Sequence, residues 1–96
     1  MSKLAKWNGA VIAKSDNCKE VEGNFYFPIE SVDKSLLKES SKTSFCGWKG
    51  TANYYNIEVD GAVNADAAWF YKEPYEKAIE IKDHVAFWNG VEVVDG

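Results

Sequence analysis

Thr51-Ala52-Asn53-Tyr54-Tyr55-Asn56-Ile57-Glu58-Val59 runs into Asp60-Gly61, and Ala65-Asp66-Ala67-Ala68-Trp69-Phe70-Tyr71 follows closely. In an extended chain alternate side chains point to opposite faces, so Tyr55, Ile57 and Val59 share one face while Tyr54, Asn56 and Glu58 share the other. An apolar row backed by a more polar one marks a half-buried strand. Asp-Gly favours a tight turn because glycine accepts positive φ without a steric penalty. Residues 65–71 are therefore predicted to return as the antiparallel partner of 51–59. On that returning strand Trp69 and Tyr71 face one way and Phe70 the other, so at least one face is core, and Phe70 is the expected core residue.

Working outward, Val85-Ala86-Phe87-Trp88, Asn89-Gly90 and Val91-Glu92-Val93-Val94 read as a second hairpin with a type I′ turn. Residues 10–14 and 23–27 read as two more strands, the latter stopped by Pro28, which lacks the N–H a sheet ladder needs. Helix is confined to short pieces. Pro28 opens a turn through Ser31 and Val32 toward Leu36 and Leu37, and Pro74 suits the first helical position before Tyr75-Glu76-Lys77-Ala78-Ile79. The serine-rich stretch Ser40-Ser41-Lys42-Thr43-Ser44 reads as a polar loop.

At 96 residues, with no linker, repeat or low-complexity tract, the chain reads as a single domain spanning 1–96. Aromatic residues make up 15% of it, four of them tryptophan, and each buried ring removes roughly 150–250 Å² from water. Net charge is −4, and all 11 basic residues are lysine, scattered singly. No guanidinium is present to grip phosphate or guanine bidentately, which argues against a nucleic-acid partner. No apolar run approaches a membrane span, the polar start Met1-Ser2-Lys3-Leu4-Ala5-Lys6 does not resemble a signal peptide, and Cys18 and Cys46 are expected as reduced thiols. A cytoplasmic monomer or weak homodimer is the expectation.

Four blocks carry a family resemblance: Tyr26-Phe27-Pro28; Cys46-x-Trp48-Lys49-Gly50-x-Ala52-x-Tyr54-Tyr55; Asp66-Ala67-Ala68-Trp69-x-Tyr71; and Val85-Ala86-Phe87. In order and spacing they resemble the bacterial domain-of-unknown-function family 427, which also carries a nucleotidyltransferase-like label. The resemblance runs from about Gly9 to Val94. It implies a mainly β, compact antiparallel two-sheet domain of the β-tent kind, with one or two short helices and a cleft where the sheets meet. Several β-tent relatives hold zinc through paired Cys-x-x-Cys knuckles; two distant cysteines and one histidine fall short of four ligands, so neither metal nor cofactor is expected. The family commonly has proline after the cysteine, where this chain has Gly47, a change that loosens the backbone there.

The same blocks concentrate the chemistry-bearing side chains. Trp48, Lys49, Tyr54, Asp66, Trp69 and Tyr71 combine amphipathic rings with one cation and one anion, the composition of many ligand pockets, and suggest a module that binds a small polar or aromatic molecule. Lys49 and Asp66 are expected to pair across the hairpin, although a structural salt bridge or a capping role for Asp66 is equally consistent with its position. An enzyme built on Cys46 as nucleophile or redox thiol, with Lys49 as activator and Asp66 or His84 handling protons, is a second reading. Free cysteine packs as a small hydrophobe in many proteins, and a lone histidine in Lys82-Asp83-His84 reads equally as a surface turn residue. A third reading makes the acidic surface and an edge strand near residues 91–94 a protein-interaction site. Lys49-Gly50-Thr51 is not a phosphate loop, since the preceding glycine pattern and the following helix are missing. Nor are Asp60 and Asp66, six residues apart across a turn, spaced for the paired Mg²⁺ ligands of a nucleotidyltransferase.

Overall fold

The computed structural model describes residues 2–96. Among these described residues nine strands form two antiparallel sheets: β1 (Lys3–Trp7), β2 (Ala10–Ser15), β3 (Lys19–Val21), β4 (Asn24–Pro28), β5 (Leu37–Cys46), β6 (Gly50–Val59), β7 (Ala62–Tyr71), β8 (His84–Phe87) and β9 (Glu92–Asp95). The smaller sheet has the order β2-β1-β9 and the larger one β3-β4-β8-β7-β6-β5. The mainly β, two-sheet expectation holds. The short helical pieces are all 3₁₀ turns, at Ile29–Ser31, Lys34–Leu36 and Glu76–Ile81. Pro28 is the N-cap of the first and so opens it as expected, whereas Tyr75 is the N-cap of the third, which leaves Pro74 one residue before the cap and not at the first helical position. No helix among the described residues is long and apolar enough to cross a membrane.

The central hairpin is as the alternation requires. Asp60 and Gly61 sit at φ +49° and +83°, and β6 and β7 leave that turn in the register Val59↔Ala62, Glu58↔Val63, Ile57↔Asn64. Each face of the larger sheet then carries its own core. On one face Phe27, Ile57, Val59, Ala68, Val85 and Phe87 meet Ala5, Ile12 and Ala13 of the smaller sheet. On the other, Tyr26, Ala52, Tyr54, Tyr71 and Ala86 are covered only in part, by Ala78 and Ile81 of the third 3₁₀ turn. Phe70 does face the first core, half-buried and stacked on Tyr55 with centroids 4.6 Å apart, but Tyr71 on the opposite face is the more deeply buried of the two.

Asn89-Gly90 corrects the second predicted hairpin. Both residues take positive φ, +53° and +88°, and Val91 N–H donates to the Trp88 carbonyl at 3.2 Å, so the turn forms. The strands on either side nevertheless join different sheets. β8 is already hydrogen-bonded on both edges, to β4 through Phe27↔Val85 and to β7 through Ala68↔Phe87, which leaves no ladder for β9. β9 pairs instead with β1 and forms one of the two outer strands of the smaller sheet, in keeping with the edge expected near residues 91–94.

Three strands escaped the pattern. β1 and β3 are short, β3 being largely polar as well, and β5, mostly exposed, contains the serine-rich stretch read as a loop. β3 and β5 are the edges of the larger sheet, and an edge strand gains its hydrogen bonds from one neighbour and needs no apolar row, so periodicity does not reveal it; β1, central in the smaller sheet, is too short at five residues for its alternation to stand out.

Candidate functional site

The space between the two sheets is filled by the first core; the aromatic cleft lies on the opposite, outer face of the larger sheet. This corrects the expectation of a site between the sheets. Tyr54 of β6 pairs with Trp69 of β7, and Ala52 with Tyr71, so Tyr54, Trp69 and Tyr71 rise from one face. Asn24, Lys49 and Trp88 complete the lining of a cleft of about 290 Å³. Of the six residues expected to bind a ligand, Lys49, Tyr54, Trp69 and Tyr71 come together here; Trp48 and Asp66 do not line the cleft.

The ring edges of the two cleft tryptophans are anchored. Trp69 Nε1 donates to the Tyr26 hydroxyl at 3.2 Å, and the Tyr26 ring meets it edge-on at 6.1 Å. Trp88 Nε1 donates to the Asp66 carbonyl at 2.5 Å, and Trp88 N–H to the Ala67 carbonyl at 2.9 Å. With their N–H groups satisfied, both indoles offer apolar ring surface to the cleft, meeting each other edge-to-face at 5.7 Å. The Tyr54 hydroxyl shares a 2.9 Å hydrogen bond with Ser44.

Lys49 supplies the charge. It lies in the turn between β5 and β6, where its N–H donates to the Cys46 carbonyl and its own carbonyl accepts from Tyr75 N–H, which fixes its backbone on both sides. Gly47 lies inside this closed turn. Only 7% of Lys49 is exposed, and its ammonium sits 5.3 Å from the Trp48 ring centroid and 5.7 Å from that of Tyr71. Its salt-bridge partner is Glu22, not Asp66. Burial alone pushes the Lys49 pKa down, but the Glu22 hydrogen bond and the nearby Tyr26 and Tyr71 oxygens outweigh it and leave the value raised. Glu22 is correspondingly held below the usual carboxylate range, chiefly by the hydrogen bond from Lys49, against a smaller opposing effect of burial. The Tyr71 phenol is pushed up by burial, with Lys49 opposing.

Gly50 follows that turn at φ +106°, where a β-carbon would sit 3.4 Å from the Glu73 carbonyl oxygen. The backbone angle is the larger problem for any other residue. Gly50→Ala is expected to cost about 1–3 kcal/mol in urea denaturation. A loss within experimental error would show that the turn accommodates a side chain by shifting.

Asp66 has a structural task. Residues 65–67 bulge out opposite the single residue Asn56, with Asp66 at φ +55°. Asp66 N–H donates to Asn56 Oδ1 at 2.8 Å, and its carboxylate accepts from the Ser40 hydroxyl at 2.5 Å. The bulge turns the Asp66 carbonyl toward the Trp88 indole, so Asp66 holds the cleft wall without lining it. Gly50 and Asn56 are six positions apart on β6, roughly 20 Å along an extended strand, which separates Asp66 from the Lys49 turn.

Cys46 ends β5 as a half-buried free thiol opposite Gly50. It does not line the cleft, and among the described residues no side-chain hydrogen bond joins it to Lys49, Asp66 or His84. His84 opens β8 opposite Pro28, with Nδ1 2.7 Å from the Lys82 carbonyl. It lines a second, smaller cavity of about 150 Å³ with Tyr55, Phe70, Lys72 and Asp83.

Asn24, Trp88 and Glu22 were missed from the sequence. Asn24 shares its strand face with Tyr26, and Trp88 directly precedes Asn-Gly, signals that place each on an element but not beside the cleft. Glu22-Gly23 is a hairpin turn with both residues at positive φ, joining β3 to β4 in the register Val21↔Asn24.

No curated protein matches the chain. A family model described as a domain of unknown function (DUF427), NTP_transf_9, matches residues 4–96, a span that holds all four sequence blocks and every residue of the cleft. The chain belongs to the DUF427 family.

Proposed function

We propose that this protein is a small-molecule-binding module whose ligand is a planar ring bearing an oxygen acceptor. The supporting observation is the cleft itself: Tyr54, Trp69, Tyr71 and Trp88 wall about 290 Å³ around one buried ammonium. That volume is at the small end of ligand pockets, which run from about 300 to 1,000 Å³, so a one- or two-ring molecule fits. The indole faces stack on the ring, and Lys49, which has three N–H donors and one side-chain partner, donates to the acceptor. Nucleotidyl transfer, suggested by the family model's name, draws no support from the arrangement. It needs carboxylates grouped around divalent metal, and among the described residues no three His, Cys, Asp or Glu side chains are grouped to hold an ion.

Benzamide is a suitable probe, being planar, neutral and supplied with a carbonyl acceptor. Titrating it into the labelled protein is expected to shift the indole N–H resonances of Trp69 and Trp88 while leaving that of Trp7, in β1, in place. Trp88→Leu is expected to weaken binding about three- to tenfold through loss of ring contact. If neither benzamide nor its charged isostere benzoate moves the two cleft indoles at millimolar concentration, the reading is wrong.

A further inference from the structure

We infer that the ligand class of this cleft is the planar aromatic carboxylate, and that its anionic group takes the place of Glu22 on Lys49; the inference rests on the ligand-binding reading above.

The two halves of the ion pair differ in how firmly they are held. Lys49 is fixed: its turn is hydrogen-bonded to Cys46 and Tyr75, its ammonium lies against Trp48 and Tyr71, and only 7% of the residue is exposed. Glu22 is held loosely. Its side chain is 53% exposed, and it sits at the tip of a two-residue turn whose outer strand, β3, has three residues and β4 as its only partner. Short edge hairpins of this kind open at low free energy.

Glu22 therefore acts as an exchangeable counter-ion. A buried ammonium left without an anion is costly, so the folded chain supplies a carboxylate of its own while the cleft is empty. The lining next to Lys49 consists of aromatic rings and Asn24, and Lys49 is its sole charged member. A ligand that combines an aromatic ring with a carboxylate satisfies both halves of the site at once. Glu22 can then return to water, where an exposed carboxylate is well solvated. A neutral acceptor such as an amide cannot displace it on equal terms, because the amide accepts a hydrogen bond from the ammonium but brings no negative charge, and the departure of Glu22 would leave the buried Lys49 without a counter-ion.

The inference is tested by comparing benzoate with benzamide in the full chain, read from the Trp69 and Trp88 indole resonances. Glu22→Gln removes the internal competitor and is expected to tighten benzoate binding about tenfold while changing benzamide binding less than about twofold. Lys49→Met is expected to abolish the preference for benzoate and to retain benzamide binding. If benzamide binds but Glu22→Gln leaves benzoate unimproved, the displacement of Glu22 is refuted and the cleft reading survives. If neither compound binds the native protein, both fail. Dispersed amide spectra of the two variants establish that each is folded, and Lys49→Met remains an independent test should Glu22→Gln unfold: a benzoate preference that persists without the ammonium overturns the inference.

Discussion

Phe27→Ala is expected to lower folding stability by about 3–5 kcal/mol, the range for removing a fully buried aromatic ring. Phe27 has no exposed surface, meets the Phe87 ring edge-on at 5.5 Å and pairs with Val85 across the β4–β8 ladder. It lies where the larger sheet packs on Ala5, Ile12 and Ala13 of the smaller one. A close-packed core relaxes only in part around a deleted ring, so a cavity remains. Since a domain of 96 residues is stable by only about 5–15 kcal/mol, much of the margin disappears. Guanidinium denaturation measures the loss, with Phe45→Ala as the comparison. Phe45 is 68% exposed, and its removal is expected to change stability by no more than about 0.5 kcal/mol. Equal losses from the two would mean that the first core is not where the sheets are held together.

The second large effect is an asymmetry between Lys49 and Glu22. Lys49→Met keeps the length of a buried side chain and releases Glu22 to water, so the stability change is expected within about 1.5 kcal/mol of zero. Glu22→Ala leaves an ammonium in a site from which water is largely excluded, and is expected to be clearly the more damaging change. A fold that loses little when its buried lysine becomes methionine does not need that lysine for stability, which directs attention to ligand binding. The pH dependence follows from the two shifts. Glu22, held below its usual value near 4.5, contributes stability that is present above that value and is lost as pH falls through its folded-state value. Lys49, raised above its usual value near 10.5, contributes stability that is present below that value and is lost as pH rises through its folded-state value. The gap between the native protein and Glu22→Ala is therefore expected to be widest from about pH 5 to pH 10 and to close toward acid. A gap that does not vary with pH would show that the pair carries no net stabilisation.

Much of the architecture is legible in the chain because its signals are local. Alternation at Tyr55, Ile57 and Val59 and the turn at Asp60-Gly61 place β6 and β7 together, and Pro28 ends β4 where its missing N–H requires. The Asn89-Gly90 turn is equally local, and its conformation is as read from the sequence. What the turn connects is not a local matter, because pairing depends on which ladder edges remain free. The site divides in the same way. Lys49, Tyr54, Trp69 and Tyr71 were legible because their density in two neighbouring strands and the turn that leads into the first of them survives folding. Asp66 was misplaced because a bulge of two extra residues at positions 65–67 turned it toward Ser40 and Asn56. Trp88 and Glu22 come from distant turns, and nothing in their own neighbourhoods marks them as companions of Lys49.

By itself the sequence determined the class of the fold, the central hairpin, the parity that places Tyr54, Trp69 and Tyr71 on one face, and the family. The tertiary structure decided which face of the larger sheet is open, which carboxylate reaches Lys49 and which tryptophan closes the cleft. Alternation assigns side chains to two faces but leaves them equivalent. They become different only when the smaller sheet packs on one face and a 3₁₀ turn half-covers the other, leaving the aromatic cleft and its buried ammonium in the uncovered remainder.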